Sequence, residues 1–170
     1  MDKFHIWLKS EVALDKDIKL YMTKEVITSV RNNLMVDGHL IKAKRNLEFA
    51  SKIVNILKDY YDWSVVADYY AVYHSALSLC ASKGYATHSH MATIALLIKH
   101  FYPRHIEIDD LNLISNHNLV ESEMMGMIKL KDCREDATYS ISQSYEVDTL
   151  DDLHDKATHF VGKVEAILKN

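Results

Sequence analysis

Glycine, proline and cysteine are scarce in this chain, with 4, 1 and 2 occurrences respectively among 170 residues. β-Sandwiches, barrels and doubly wound sheets use glycine and proline at many tight turns, so this scarcity argues against all three classes. Cys80 and Cys133 are far apart and form no C-x-x-C motif. We expect both to be small, buried side chains in a reducing compartment, and we expect the fold to need no disulfide.

The chain also lacks a strong excess of charge of either sign. Lys and Arg number 20 against 24 Asp and Glu, which gives a formal net charge of −4. Proteins that coat duplex DNA are usually strongly basic, so this balance argues against that class and leaves room only for a local basic patch. The 10 histidines would add positive charge below about pH 6.5.

Long apolar segments are missing as well. The longest nearly apolar run, 92–98, is much shorter than the roughly 20 residues of a membrane span. No apolar segment of the kind found in signal peptides follows the start of the chain. We therefore predict a cytoplasmic protein that has no association with a membrane.

Several motifs of common enzymes and cofactor sites are absent. The glycines are isolated, so neither G-x-x-x-x-G-K-[ST] nor G-x-G-x-x-G occurs, and G-x-S-x-G and H-E-x-x-H are missing too. A di-iron bundle needs two inward Glu-x-x-His pairs, whereas the nearest match here is a single Asp151–His154 segment. His88 and His90 are better explained as residues at a helix start than as metal ligands. We expect no metal and no cofactor.

What the sequence does contain is apolar residues at helical spacing along most of its length. The pattern predicts an all-α fold, an up-and-down helical bundle with four to five core helices over 39–170. A helical extension, 1–38, is expected to pack on this bundle. No segment is predicted to be a strand. Gly38 and Gly84 are expected just past helix ends, and Pro103 is expected to close the fourth helix. The predicted helices are 15–34, 40–57, 63–83, 90–101, 110–115, 119–146 and 149–168.

The predicted helix 63–83 carries an unusual polar stretch that runs from Tyr69 to His74. Tyr70 and His74 are four residues apart and therefore lie on the same helical face. Because both side chains have polar tips, each needs a hydrogen-bond partner if it is buried. The two residues either satisfy each other inside the bundle or line a polar cleft.

Arg134 is the second candidate, on the predicted helix 119–146. It shares a helical face with Met127, Lys131 and Thr138. An arginine in a partly apolar stripe pairs with an acid, binds a phosphate or emerges at an interface. A surface ion pair with a nearby carboxylate is the alternative to a binding role, and both remain open.

Taken together, these stretches resemble the HEPN domain family, and most closely its stand-alone prokaryotic branch. The resemblance covers about residues 40–168. It implies a helical bundle that is usually a homodimer, with a polar cleft at or near the dimer seam. The stretches that carry the resemblance occur in the family's order and are 43–50, 68–77, Gly84-Tyr85, Ser89-His90, 134–139 and 157–161.

Many members of this family are metal-independent endoribonucleases, often toxins paired with a small nucleotidyltransferase antitoxin, whereas others bind nucleotides or RNA without cutting them. The nuclease members carry Arg-x(4–6)-His, in which histidine acts as acid or base and arginine holds the phosphate. After Arg134, the positions expected to hold this histidine are occupied by Tyr139, Ser140 and Ile141. The nuclease pair is therefore missing.

The resemblance thus implies a homodimer that binds a nucleotide or an RNA phosphate, with a nucleotidyltransferase as a candidate partner. Arg134 would contact the phosphate, and Tyr70, His74, His90 and Tyr139 would line the cleft. Two alternatives remain. One is a toxin-like endoribonuclease that uses His74 or His90 as its acid or base, and the other is a purely structural or protein-interaction module.

Overall fold

The computed structural model describes residues 3–30, 33–56, 61–115 and 147–169. The predicted helix 119–146 lies outside these residues, together with Arg134 and Tyr139. The described elements, in chain order, are α1 (Lys3–Lys9), α2 (Glu11–Thr23), β1 (Ile27–Ser29), α3 (Asn33–Ile56), α4 (Tyr61–Ser82), β2 (Tyr85–Thr87), α5 (His90–His100), α6 (108–115) and α7 (Val147–Lys169). The predicted all-α class is confirmed, since the described sheet is a single pair of three-residue strands.

The three long helices α3, α4 and α7 pack against one another. Where they meet, Ala43 of α3, Ala71 of α4 and Val161 of α7 are buried together. Small side chains let helix axes approach closely, so the many Ala and Ser residues of α4 account for its place in the centre of the bundle.

Enlarging one of these contacts is expected to force the helices apart. Replacing Ala71 by leucine should lower the free energy of unfolding by about 1–3 kcal/mol, because the site has no space for the added carbons. Leucine and alanine have similar helix propensities, so the change tests packing alone. Urea unfolding followed by circular dichroism measures it, and Ala166→Leu at an exposed position of α7 is the matched control. Equal stability of the Ala71→Leu variant would contradict the close approach.

The N-terminal helices pack on α5. Phe4, Trp7, Leu14 and Ile18 are buried in one continuous core with the apolar side chains of α5. The Trp7 Nε1 group donates a hydrogen bond to Asp17 Oδ2 at 2.9 Å and so joins α1 to α2. The division of the chain at 38/39 stays a prediction, and this position lies within α3.

The predicted helix 15–34 is wrong in its second half. Helix α2 ends at Thr23, and Glu25 follows with a left-handed φ of 55°. Strand β1 then pairs antiparallel with β2, with Ile27 opposite Thr87. The apolar residues continue at a spacing of four beyond Thr23, which imitated a helix. The β-branched run Val26-Ile27-Thr28 favours the strand instead.

The prediction that Gly38 lies just past the end of a helix is wrong. Helix α3 begins at Asn33 and continues through Gly38 to Ile56. A glycine inside a helix costs about 1 kcal/mol, which the tertiary packing of a 24-residue helix readily offsets.

Gly84, by contrast, behaves as predicted. It follows α4 with a φ of 83°, and its carbonyl accepts a hydrogen bond from the Val30 amide at 2.8 Å, beside the β1–β2 pair. The predicted start of α5 is also confirmed, because Ser89 is its N-cap and accepts a hydrogen bond from the Ala92 amide. Helix α5 ends at His100, shortly before Pro103.

Candidate functional site

Tyrosine and histidine side chains from three helices come together around the middle of α4. We call this group the Tyr–His cluster. Helix α4 contributes most of it because side chains three or four positions apart are neighbours on a helix surface. Its members are Tyr69, Tyr70, Tyr73 and His74 of α4, His39 of α3 and His90 at the start of α5.

One end of the cluster is a pair of imidazoles. The Nδ1 atoms of His39 and His74 are 3.1 Å apart, and the two rings are inclined by 28° with centroids 5.3 Å apart. For this contact to be a hydrogen bond, one ring donates a proton and the other accepts it through an unprotonated nitrogen. The geometry therefore requires that at least one ring is neutral.

The surroundings of the pair favour the neutral form of both rings. The pKa of His74 is lowered to about 4, mainly by burial and also by the neighbouring His39 and Lys42. Burial also lowers the pKa of His39, with added contributions from Lys42 and His88. At pH 7 the pair is thus uncharged beside the positive charge of Lys42. The pair can form hydrogen bonds with a ligand, but its rings are rarely in the protonated form that could act as an acid.

The other end of the cluster fixes His90. The Tyr69 hydroxyl makes a hydrogen bond with His90 Nε2, and the Tyr73 ring stacks on the His90 ring at a centroid distance of 4.2 Å and an inclination of 13°. Tyr69 is buried. Because Ser89 caps α5 immediately before it, His90 is positioned both by its own helix and by α4.

Tyr70 is the member of the cluster that faces the solvent. Its side chain is 38% exposed, and its ring centroid lies 5.0 Å from that of Tyr69 and 6.3 Å from that of His74. The predicted proximity of Tyr70 and His74 is confirmed. The hydrogen bonds, however, join His74 with His39 and Tyr69 with His90, so a closed Tyr70–His74 pair is not what the structure shows.

The structure thus brings together three of the five residues proposed from the sequence, Tyr70, His74 and His90. Arg134 and Tyr139 lie outside the described residues, so their place near the cluster stays a prediction. His39 was missed because it lies between the predicted helices 15–34 and 40–57, where no side chain was given a role. A helix read through Gly38 would have placed His39 on the face that packs against α4.

A buried acid–base pair lies on another side of α4 and was also missed. Asp68 is 2% exposed, and its Oδ1 atom lies 2.8 Å from Nδ1 of His154 on α7. Burial raises the pKa of Asp68 to about 6, although the hydrogen bond and charge of His154 oppose this effect. On the same side of α4, the Ser75 hydroxyl is buried with no hydrogen-bond partner among the described residues. The pair therefore ties α7 to α4 in a largely dry environment.

Other forms of chemistry find little support in the described part of the chain. No three metal-ligating side chains come together there, and His88 and His90 do not gain a third ligand. Burial raises the pKa of the Cys80 thiol to about 12, so the reactive thiolate is scarce at neutral pH. No described helix is both long enough and apolar enough to cross a membrane.

A surface depression with a volume of about 320 Å³ shares no residue with the Tyr–His cluster. Its lining comes from α1, α2 and the end of α5, and includes Trp7, Lys99 and Tyr102.

No family model matches the chain, and a search of curated proteins finds no match either.

Proposed function

We propose that the protein is a HEPN-type helical homodimer that binds a nucleotide or single-stranded RNA at the Tyr–His cluster. The observation that carries the proposal is the convergence of α3, α4 and α5 on one exposed aromatic ring, Tyr70, beside an uncharged histidine pair and Lys42. Aromatic rings next to basic side chains form the usual surface for single-stranded nucleic acid. A nucleotidyltransferase is the protein partner that the resemblance suggests.

Different members of the cluster would contact different parts of the ligand. A base would stack on the Tyr70 ring, while Lys42 would attract a phosphate. The neutral rings of His39 and His74 would supply hydrogen bonds without adding charge. Arg134 would hold a phosphate through its guanidinium group, with Tyr139 beside it, as the resemblance implies.

The proposal contains binding and no cleavage step. A general acid must carry a proton at the working pH, whereas a histidine of pKa about 4 is protonated in only about one molecule in a thousand at pH 7. The Arg-x(4–6)-His pair is also missing after Arg134. The first point argues against His74 as a general acid, and the second argues against the nuclease mechanism that the resemblance implies.

The Tyr70→Ala variant tests the proposal. Loss of one stacked base should weaken binding of a fluorescein-labelled single-stranded oligoribonucleotide by about tenfold, because such stacking contributes about 1–3 kcal/mol. Tyr70→Phe keeps the ring and should bind within about twofold of the natural chain. Fluorescence anisotropy measures both affinities. Arg134→Ala tests the phosphate contact, and Lys16→Gln on the exposed side of α2 controls for a general change in charge.

Three results would contradict the proposal in different ways. Equal affinity of the Tyr70→Ala variant would remove the cluster from the binding site. An unchanged melting temperature with RNA and with every nucleotide would favour the interaction module, since a bound ligand stabilises the folded state. Cleavage of RNA in EDTA that Arg134→Ala abolishes would favour the ribonuclease.

A further inference from the structure

The contact between His39 and His74 has room for one proton. Their Nδ1 atoms face each other at 3.1 Å, which is the distance of a hydrogen bond between two ring nitrogens. In the neutral pair, the ring that donates this proton has a bare Nε2 atom, whereas the ring that accepts it carries its own proton on Nε2. The neutral pair therefore offers a ligand one acceptor and one donor.

One added proton changes what the pair offers. It binds to the bare Nε2 atom, so that both Nε2 atoms become donors while the contact between the Nδ1 atoms keeps its single proton. A second added proton would set two N–H groups face to face at 3.1 Å and would place two positive charges on adjoining rings. The geometry therefore allows the pair to take up one proton and opposes the second.

The two rings are accessible, and the charged groups beside them are basic. His39 and His74 are each partly exposed, and Lys42 and His88 are exposed. Burial lowers the pKa of both rings, Lys42 adds to this effect at both, and His88 adds to it at His39. Because the same charges attract an anion, a bound anion would offset the repulsion that keeps the pair neutral. The titratable groups near the pair come from three parts of the fold and are Lys42 of α3, Tyr70 and Tyr73 of α4, and His88 between β2 and α5.

We propose that the His39–His74 pair and Lys42 form an anion subsite that takes up one proton when a phosphate group binds. The outward oxygens of a phosphate diester accept hydrogen bonds and donate none, so they match an Nε2 atom that carries a proton and mismatch the bare one. The proton comes from the solvent, binds at Nε2 and returns to the solvent when the phosphate leaves. This inference rests on the proposed function for the identity of the ligand, and it gives the pair a charge toward acid that it lacks at pH 7.5.

Binding should accordingly strengthen toward acid. A bound phosphate raises the pKa of the pair, so the bound protein holds a proton at a pH where the free protein, with the pKa of His74 at about 4, holds none. Affinity therefore rises as the pH falls through the interval between the two pKa values, and it is constant above that interval. For an oligoribonucleotide without terminal phosphates, whose diesters stay ionised throughout, we expect about tenfold tighter binding at pH 5 than at pH 7.5.

Fluorescence anisotropy at constant ionic strength measures this response. The double variant that combines His39→Gln with His74→Gln removes both rings, so its affinities at the two pH values should differ by less than about twofold. Glutamine keeps hydrogen-bonding groups in the site but has no proton to gain in this range. The matched control combines His105→Gln with His159→Gln, removes two exposed histidines elsewhere and should keep the full response.

Nitrogen-15 NMR of the imidazole rings follows the proton in the natural chain without RNA. Sulfate is a suitable probe, because it carries two charges throughout this range and does not titrate. Compared with chloride at equal ionic strength, sulfate should raise the pH at which the His39 and His74 rings protonate by about half a unit. The pair should take up one proton in total down to pH 4, and the exposed ring of His159 should shift by less than about a tenth of a unit.

An equal pH response of RNA binding in the natural chain and in the double variant would overturn the inference. Unchanged ring protonation in sulfate, or the uptake of two protons by the pair, would overturn it as well. The RNA measurements separate this inference from the proposed function. If Tyr70→Ala weakens RNA binding but the pH response is equal in both chains, RNA binds at the cluster without this proton. If the natural chain binds neither RNA nor nucleotides but sulfate promotes protonation of the pair, the anion subsite stands and the binding proposal is wrong.

Discussion

Replacing His154 by alanine is expected to lower the free energy of unfolding by about 3 kcal/mol at pH 7.5. The variant leaves Asp68, which is 2% exposed, without the imidazole whose Nδ1 lies 2.8 Å from its Oδ1, so the carboxyl must either stay ionised in a buried site or take up a proton at pH 7.5. A buried charge that loses its partner carries the full cost of its lost hydration. Urea unfolding followed by circular dichroism measures the loss.

The same loss should shrink to about 1 kcal/mol at pH 5. Burial raises the pKa of Asp68 to about 6, so the carboxyl is mostly protonated and uncharged at pH 5. Adding Asp68→Asn to His154→Ala should recover most of the stability at pH 7.5, because no charge then remains in the site. His159→Ala on the exposed side of α7 is the control. An equal loss at both pH values would mean that His154 contributes only packing.

Changing His74 to asparagine is expected to reduce the destabilisation of the protein by acid by about 2–3 kcal/mol between pH 6.5 and pH 4. The pKa of His74 is lowered to about 4, mainly by burial, whereas in the unfolded chain it is near 6.5. As the pH falls through this interval, the unfolded chain takes up a proton that the folded chain resists. The folded state therefore loses stability toward acid, and solvent screening of the partly exposed ring reduces the effect somewhat.

Urea unfolding of the natural chain and of His74→Asn at several pH values between 4 and 7.5 measures this difference. The two chains should approach parallel pH dependence toward pH 7.5, where His74 is mostly neutral in both the folded and the unfolded state. His159→Asn should follow the natural chain throughout. A His74→Asn curve parallel to that of the natural chain down to pH 4 would show that His74 protonates as easily in the folded state as in the unfolded one.

Asp68 and His74 act in opposite directions over nearly the same pH interval. The raised pKa of Asp68 means that the folded state binds its proton more readily than the unfolded state does, so this group stabilises the protein as the pH falls from 6 to 4. His74 destabilises it over the same range. The natural chain should therefore show a shallow acid response from these two groups, which Asp68→Asn makes steeper.

The fold was predictable where the local signals agreed with each other. Helix α5 was found to within one residue because Ser89 caps it and Pro103 follows it, and the end of α4 was found because Gly84 can adopt a positive φ. The errors arose where tertiary contacts outweighed local ones. Strand β1 exists because it pairs with β2, and α3 continues through Gly38 because its other residues are held by α4 and α7.

The site was predictable only in the part that one helix contributes. Tyr70 and His74 stand four residues apart, so helical geometry alone places them together. His39 reaches His74 from 35 residues away and His154 reaches Asp68 from 86 residues away, so neither contact leaves a local pattern. The order of the motifs also identified Ser89-His90, but it did not predict that the Tyr69 hydroxyl makes a hydrogen bond with His90.

The short β1–β2 pair affects the order in which contacts form during folding. Thr28 and Ala86 are 58 residues apart, so their pairing closes a long loop at a substantial cost in chain entropy. Tyr70 and His74 come together as soon as α4 forms, on the timescale of helix growth. His90 follows β2 by only three residues, and its position depends on this slower, non-local step. The α4 side chains of the cluster would thus come together before His90 reaches its position during folding.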